Sequence, residues 1–536
     1  MRAVARCTGV GGSRERISGM RPLRSLLLAA GALAVALAVA APRLLSQTPD
    51  PLTLEVRAWH RAHALPVLRE FRDFLSLPNV ASDSVQIRRT ADTLVAMLAR
   101  RGVQARRLES PGSPPAVYGE LRTPGATRTV MLYAHYDGQP VVASDWVTAG
   151  PFAPELRDGH VERGGRVRTL EEAAAAGTRA DDWRLYARSA SDDKGAIIGM
   201  LTALDALKAA GRAPAVNLKF FFEGEEEAGS SHLREMLTTH RALLATDLWI
   251  FADGPRHPSG MLQLVHGVRG VMGLRMTVHG PSRPLHSGHY GNWAPNPAAE
   301  LARVLATMRA DDGGITIAGF DEPVRPITAE DRAAVLAIPS PDEGLRAELR
   351  MGRTEGALPL GLAILRPSLN VTRLAGGTGT NSVPASATAT IDFRLVPDQT
   401  PAGVRALVET HLRTLGYHVV HAMPDSVTRV SHPRVVQLDW EGGYAGQRTA
   451  LTHPLARELH ALLEQATGAP VGRVPTLGGS LPLSVFAEVL RTPILTLPIA
   501  NYDNNQHAAN EHLRLGNLWS GIEVFASVMA GLGGAR

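Results

Sequence analysis

Continuously apolar segments of strand length alternate with helical repeats through much of this chain. Ser84 to Arg101 places Leu94, Val95 and Leu98 on one helical face and stops at Gly102. Three apolar runs follow, Thr129 to Ala134, Leu218 to Phe222 and Leu248 to Ala252. Between the first two, Lys194 to Ala210 predicts a helix, with Ile197, Leu201, Leu204 and Leu207 near helical spacing and Gly211 after it. Strands with no polar face, separated by helices, imply a mostly parallel sheet buried on both sides.

The pattern changes near Gly267. Gly273 to His279 and Ala387 to Val396 alternate apolar and polar positions, as half-exposed antiparallel strands do. Asn296-Pro297 is a helix start, with proline at the first helical position. Pro401 to Leu415 predicts a further helix, and a strand follows to Val420. A helix at Pro454 to Ala466, an apolar strand at Pro493 to Pro498 and a last helix at Leu515 to Leu532 restore the first pattern. The expected fold class is therefore α/β. Residues 50–265 and 447–536 would build a mostly parallel buried sheet flanked by helices, with an α+β domain inserted at 266–446. Ala173 to Ala176 is expected in a surface loop.

A length of 536 residues exceeds one ordinary domain and agrees with this division. The first 41 residues stand apart. Arg14, Arg16, Arg21 and Arg24 precede an uncharged apolar run from Ser25 to Ala41, closed by Pro42. As a helix it would span roughly 26 Å, a little short of a bilayer core. With the small residues Ala38-Val39-Ala40 it reads as a secretory signal peptide, an uncleaved anchor being the alternative. An exported protein, periplasmic or secreted, is expected, touching a membrane only through that segment if it is retained. Residues 1–41 hold six Arg and one Glu, a net +5, which equals the formal charge of the whole chain. The remainder is near neutral, so no basic footprint for nucleic acid is left. The one cysteine, Cys7, also lies there, so a metal site elsewhere must use His and carboxylates.

Each apolar run delivers such residues at its C-terminal end: His135-Tyr-Asp137, Glu223-Gly-Glu-Glu226-Glu227 and Asp253. Ligand sites in open α/β sheets lie at the carboxyl ends of strands, so these groups should converge. Asp192-Asp193 precedes a helix and can join them, as can His507 in the polar loop after the last strand. Singly, each has an ordinary explanation: a helix cap, a turn, a solvated acidic face. Jointly, His135, Asp192, Glu227, Asp253 and His507 make an oxygen-rich set suited to two divalent ions sharing a carboxylate, and zinc accepts this mixture. Two such ions about 3.5–4 Å apart activate water and polarise a carbonyl. A carboxylate off the metals must then move the proton to the leaving group. Asp137, two residues beyond His135 on the same side of an extended chain, can orient that imidazole.

Four stretches together are highly specific: Leu132-Tyr-Ala-His-Tyr-Asp-Gly-Gln-Pro140, Ala187-Arg-Ser-Ala-Ser-Asp-Asp-Lys-Gly195, Phe222-Glu-Gly-Glu-Glu-Glu-Ala-Gly-Ser230 and Asn505-Gln-His-Ala-Ala-Asn-Glu511. They resemble the co-catalytic zinc metallopeptidases, the family of carnosine dipeptidases, bacterial glutamate carboxypeptidases, aminoacylases and succinyl-diaminopimelate desuccinylases. The resemblance covers nearly everything after the N-terminal segment. It implies two Zn2+ per chain, with Mn2+ or Co2+ as substitutes, and Asp192 bridging them. His135 and Asp253 would complete one site, Glu227 and His507 the other, with Glu226 as general base and acid and Asp137 supporting His135. Asp193 occupies a variable position, implying a structural role. The insert would serve as lid and dimerisation domain of a homodimer. His286, in Leu285-His-Ser-Gly288, resembles the lid histidine that reaches substrate, often across the dimer interface. Arg394 matches an arginine that binds the free carboxylate of the substrate, a bidentate task suited to guanidinium.

The substrate implied is a dipeptide or short peptide, or an N-acyl amino acid in a deacylase of the same family. Thr476-Leu477-Gly-Gly-Ser480 departs from a loop that begins Arg-Glu in dipeptidases, which leaves α-amino recognition open. A catalytically silent binding protein on this fold is the reading from another class. It would be expected to have lost some of the five ligands or Glu226. Gly376-Gly-Thr-Gly379 lacks the Lys-Ser/Thr of a phosphate loop and is rejected as one.

Overall fold

The computed structural model describes residues 48–377 and 379–533. The N-terminal segment read as a signal peptide lies outside them. Two sheets organise the described chain. The larger has eight strands in the order Gln104–Leu108, Ala116–Leu121, Asn217–Glu223, Thr129–His135, Leu248–Phe251, Ile494–Thr496, Gln263–Val265 and Gly472–Val474. Its centre is parallel: Thr129–His135 runs with Asn217–Glu223 and with Leu248–Phe251, which runs with Ile494–Thr496. Antiparallel pairs are confined to the flanks.

The absence of a polar face in these strands has a direct cause. Val130, Leu132, Phe220, Phe222 and Ile250 feed one core, beneath helices that include Lys194–Ala209 and Leu515–Gly531. Met131, Tyr133, Phe221, Trp249 and Phe251 feed a second core on the opposite face, with Phe486 of the helix Leu483–Leu490. The helix Lys194–Ala209 is buried almost all round rather than on one stripe. It is clamped between the sheet and the last helix so closely that a Cβ on Gly199 would sit 3.2 Å from Phe525. Two helices, Pro51–Ala62 and Ala64–Leu75, close the same side.

The second sheet has five strands in the order Ser368–Gly376, Ser386–Leu395, Gly270–His279, Val435–Tyr444 and His418–Val420. Its alternating residues bury one face: Met272, Leu274, Met276 and Val278 face inward with Ala389, Ile391 and Phe393. Helices Pro297–Met308 and Pro401–Thr414 cover that side through Leu301, Val304, Val404 and Val408. The other face stays polar. The chain crosses between the sheets where Gly267–Val268 pairs with Gln447–Arg448.

Ala173 to Ala176 is not a loop. It closes the helix Leu170–Ala176, which Thr169 and Glu172 start with a reciprocal capping box while Leu170 and Ala173 are buried. Alanine is the best helix former, and a paired cap stabilises even so short a helix. Among the described residues no helix is long and apolar enough to cross a membrane.

Candidate active site

The carboxyl ends of the parallel strands bring five of the predicted groups to one point. His135 ends its strand fully buried, with Nε2 2.8 Å from Asp192 Oδ1. The other oxygen, Asp192 Oδ2, lies 3.1 Å from His507 Nε2, which is also 3.3 Å from Glu227 Oε2. Asp253 completes the group on the His135 side. The donors thus form two sets of three, His135–Asp192–Asp253 and Asp192–Glu227–His507, each with ligand atoms within 4.8 Å of one another. Asp192 belongs to both. Nitrogen and carboxylate donors at this spacing fit a pair of divalent cations.

Electrostatics points the same way. Burial, with the charge of Asp192, pushes Asp253 up to about 6 and Glu227 up to about 7. Burial likewise holds Glu226 well above the usual carboxylate range, helped by Asp253 and Glu227. Asp192 goes the other way: burial opposes its charge, but His135 and His507 outweigh it. A cluster of acids held this close needs protons or cations to offset its repulsion.

The run Glu225-Glu226-Glu227 divides its work. Glu225 Oε1 lies 2.7 Å from His232 Nδ1, securing the start of the helix Leu233–Thr239. Glu227 accepts from Gln139 Nε2 at 2.7 Å and faces His507. Glu226 stands close enough to feel the charges of His135, Asp192, Asp253 and Glu227 but belongs to neither set of three. Asp137 does more than meet the His135 ring, whose Nδ1 is 3.4 Å from its Oδ1. Its two oxygens accept the backbone N–H groups of Glu226 and Glu227 at 3.2 and 3.0 Å, so one carboxylate ties the two acidic strand ends together. Asp193, buried, accepts weakly from His135 N at 3.4 Å.

Sequence reasoning missed Glu511, although it stands in one of the quoted stretches. Fully buried, it accepts five hydrogen bonds at 2.8–3.0 Å, from Arg188 Nη1, Ser189 N, Ser191 N, Ser191 Oγ and Asp192 N. It therefore sets the turn that aims Asp192. Asn79 adds a second brace, donating to Tyr136 O and Ser189 Oγ. That turn presses on the His135 strand end so closely that a Cβ at Gly138 would lie 2.3 Å from Ser189 Oγ. Local spacing could not reveal Glu511, because its partners are about 320 residues away.

Arg394 stands on the polar face of the small sheet, half-buried. Its Nε donates to Asp392 at 3.0 Å and its Nη1 to Ser480 Oγ at 2.9 Å, which leaves Nη2 without a protein partner among the described residues. His286 is set apart. It is exposed, in a two-stranded ribbon with Ser382, and its Nδ1 accepts from Gly288 N. A third donor set, His160–Asp503–His512, is unsuited to a cation, because Arg184 and Arg514 already pair with Asp503.

The sequence pattern of peptidase family M20/M25/M40 matches residues 131–531, well over half of the chain. The chain is 27% identical over 444 residues to the Cys-Gly metallodipeptidase dug1 of Schizosaccharomyces pombe, covering 77% of this chain and 82% of the relative. It is 25% identical to the Beta-Ala-His dipeptidase of Homo sapiens, covering 77% and 76%. Among solved structures, the M20 family metallo-carboxypeptidase Sso-CP2 from Sulfolobus solfataricus superposes with a TM-score of 0.69 at 26% identity, over 86% of this chain and 98% of that one. Human carnosine dipeptidase 1 shares the fold, with a TM-score of 0.68 at 20% identity, over 91% of this chain and all of its own. A fold built on two large sheets, a shared-carboxylate donor cluster at the strand ends and a match over most of the chain lead to one conclusion: this protein belongs to peptidase family M20/M25/M40 and is a peptidase.

Proposed function

We propose that the chain hydrolyses the amide bond of dipeptides or short peptides that carry a free carboxylate, using two zinc ions held by His135, Asp192, Glu227, Asp253 and His507. The observation that carries this reading is Asp192, which offers one carboxylate oxygen to each histidine. Bound there, the zinc pair would lower the pKa of an attacking water and polarise the scissile carbonyl. Glu226, half-buried with a raised proton affinity, takes the proton from that water and returns it to the leaving amine. Asp137 holds Glu226 and Glu227 in place through their backbone N–H groups. Arg394 receives the substrate's carboxylate. The protein is exported, its first 41 residues acting as signal or anchor.

A homodimer through the inserted domain fits two features. The edge strand Ser368–Gly376 is exposed from Asn370 onward, a long open edge that suits pairing with a second copy. The exposed His286 would then reach the site of the other subunit. His286→Ala should cut turnover more than tenfold while zinc content holds, measured by steady-state kinetics and metal analysis. Loss of zinc in parallel would remove the lid assignment.

A second reading, an N-acyl amino acid deacylase, is favoured by Leu477. Its side chain lies 3.8 Å from where a Cβ on Gly254 would stand, an apolar neighbour beside Asp253. The deciding experiment loads the purified chain with zinc and screens dipeptides, N-acyl amino acids and polyglutamates. Dipeptides should be cleaved fastest; N-acyl preference would select the deacylase, and no hydrolysis of any would overturn both.

A further inference from the structure

The polar face of the small sheet carries a group that the proposed mechanism leaves unused. In the strand Gly270–His279, Val271 is paired with Arg394 on one side and with Tyr444 on the other. Residues directly opposed across antiparallel strands project to the same face, so Arg394, Val271 and Tyr444 form one row. The outer two stand about 10 Å apart, twice the strand spacing, with only a short valine side chain between them. The row lies at the end of the sheet where the chain crosses to the larger domain, and Arg394 there reaches Ser480. Glu226 and Asp253 stand near enough for their charges to act on the Tyr444 phenol.

That phenol is chemically uncommitted. The hydroxyls of Tyr118, Tyr133 and Tyr417 donate to glutamates, and that of Tyr136 to the carbonyl of Pro115. The hydroxyl of Tyr444 has no hydrogen-bond partner among the described residues, although the side chain is half-buried. Arg394, meanwhile, is partly committed. Asp392 takes its Nε edge and Ser480 one Nη1 hydrogen. A carboxylate meeting the remaining Nη2 would have a second oxygen to satisfy.

We propose that Tyr444 is a substrate-binding residue whose hydroxyl donates, beside Arg394, to the free carboxylate of the substrate. The assignment rests on the peptidase reading above and names the second donor of its carboxylate subsite. Burial, together with Glu226 and Asp253, keeps the phenol protonated and so a donor at any working pH. A hydroxyl donor adds reach without a second positive charge, which suits a wall where Arg269 already stands near Arg394.

The test uses the full chain loaded with zinc, as wild type and as Tyr444→Phe, which keeps the ring and removes only the hydroxyl. For a dipeptide with a free carboxylate, KM should rise about ten- to a hundredfold with kcat nearly unchanged, the size expected for one charge-assisted hydrogen bond. For the same dipeptide as its C-terminal amide, the two proteins should behave alike, and zinc content should be equal. In Arg394→Ala, the further effect of Tyr444→Phe should shrink, since both act on one group. Equal losses on acid and amide, or an unchanged KM, would overturn the assignment. Were the wild type to cleave neither, the dipeptide reading of the substrate would fail instead. Calorimetric binding of the same acid and amide would then decide for Tyr444: preference for the acid lost in Tyr444→Phe supports it, and preference kept or absent from the wild type refutes it.

Discussion

Glu226→Gln should lower turnover by about a hundred- to ten-thousandfold while two zinc ions per chain remain bound. Glutamine keeps the shape of the side chain but cannot accept and return a proton. The metal content should survive because Glu226 belongs to neither donor set, whereas the adjacent Glu227 is 3.3 Å from His507 Nε2 and belongs to one. Glu227→Gln should therefore do the reverse and weaken metal binding first. Kinetics paired with metal analysis on both variants separates the two roles. Unchanged turnover in Glu226→Gln would remove it as the proton carrier, and loss of zinc there would make it a ligand.

Stripped of metal, the protein should lose stability as pH rises from about 4 to about 7, the opposite of a protein held by ordinary ion pairs. Burial pushes Asp253 up to about 6 and Glu223 and Glu227 up to about 7, while in the unfolded chain such groups titrate near 4. Between those values the folded state holds protons that the unfolded state has released. The stabilisation is thus complete below about pH 4 and declines as pH passes through the folded values. His135 acts in the same direction at higher pH: burial opposes its charge, but hydrogen bonds to Asp137 and Asp192 hold its pKa well above the ordinary value. Asp192, held low, contributes the opposite slope, but only below about pH 4. At about 1.4 kcal/mol per unit, the coupled cluster should change stability by a few kcal/mol. Zinc needs deprotonated ligands, so its own stabilisation grows over the same range. The gap in unfolding midpoint between loaded and stripped protein should widen from pH 5 to pH 8. A stripped protein more stable at pH 8 than at pH 5 would contradict the cluster as described.

Much of the fold was legible because burial on two faces leaves a mark in composition. The strands Thr129–His135, Asn217–Glu223 and Leu248–Phe251 differ by no more than a residue at either end from the apolar runs that announced them. The outlying strands Gln104–Leu108 and Ala116–Leu121 were not anticipated. Neither was the four-stranded sheet that includes Arg184–Tyr186 and His512–Arg514, whose strands have three residues or fewer and carry too little pattern to read. In the candidate site, the groups at strand ends were legible because each follows an apolar run. Glu511, Gln139 and Asn79 were not, since each works through hydrogen bonds to a distant segment rather than through a local motif.

The residues themselves determined that this protein has two domains' worth of α/β and α+β pattern, no cysteine for a metal beyond Cys7, and a cluster of histidines and acids at strand ends. Only the tertiary structure decided how three adjacent glutamates differ. Glu225 turns to His232 and Glu227 to Gln139 and His507, while the Glu226 carboxylate has no hydrogen-bond partner among the described residues and its charge acts on His135, Asp253 and Tyr444. Spacing of one residue along a chain carries no direction at a tight turn. Direction comes from what packs around the turn, here the two oxygens of Asp137 on consecutive backbone N–H groups.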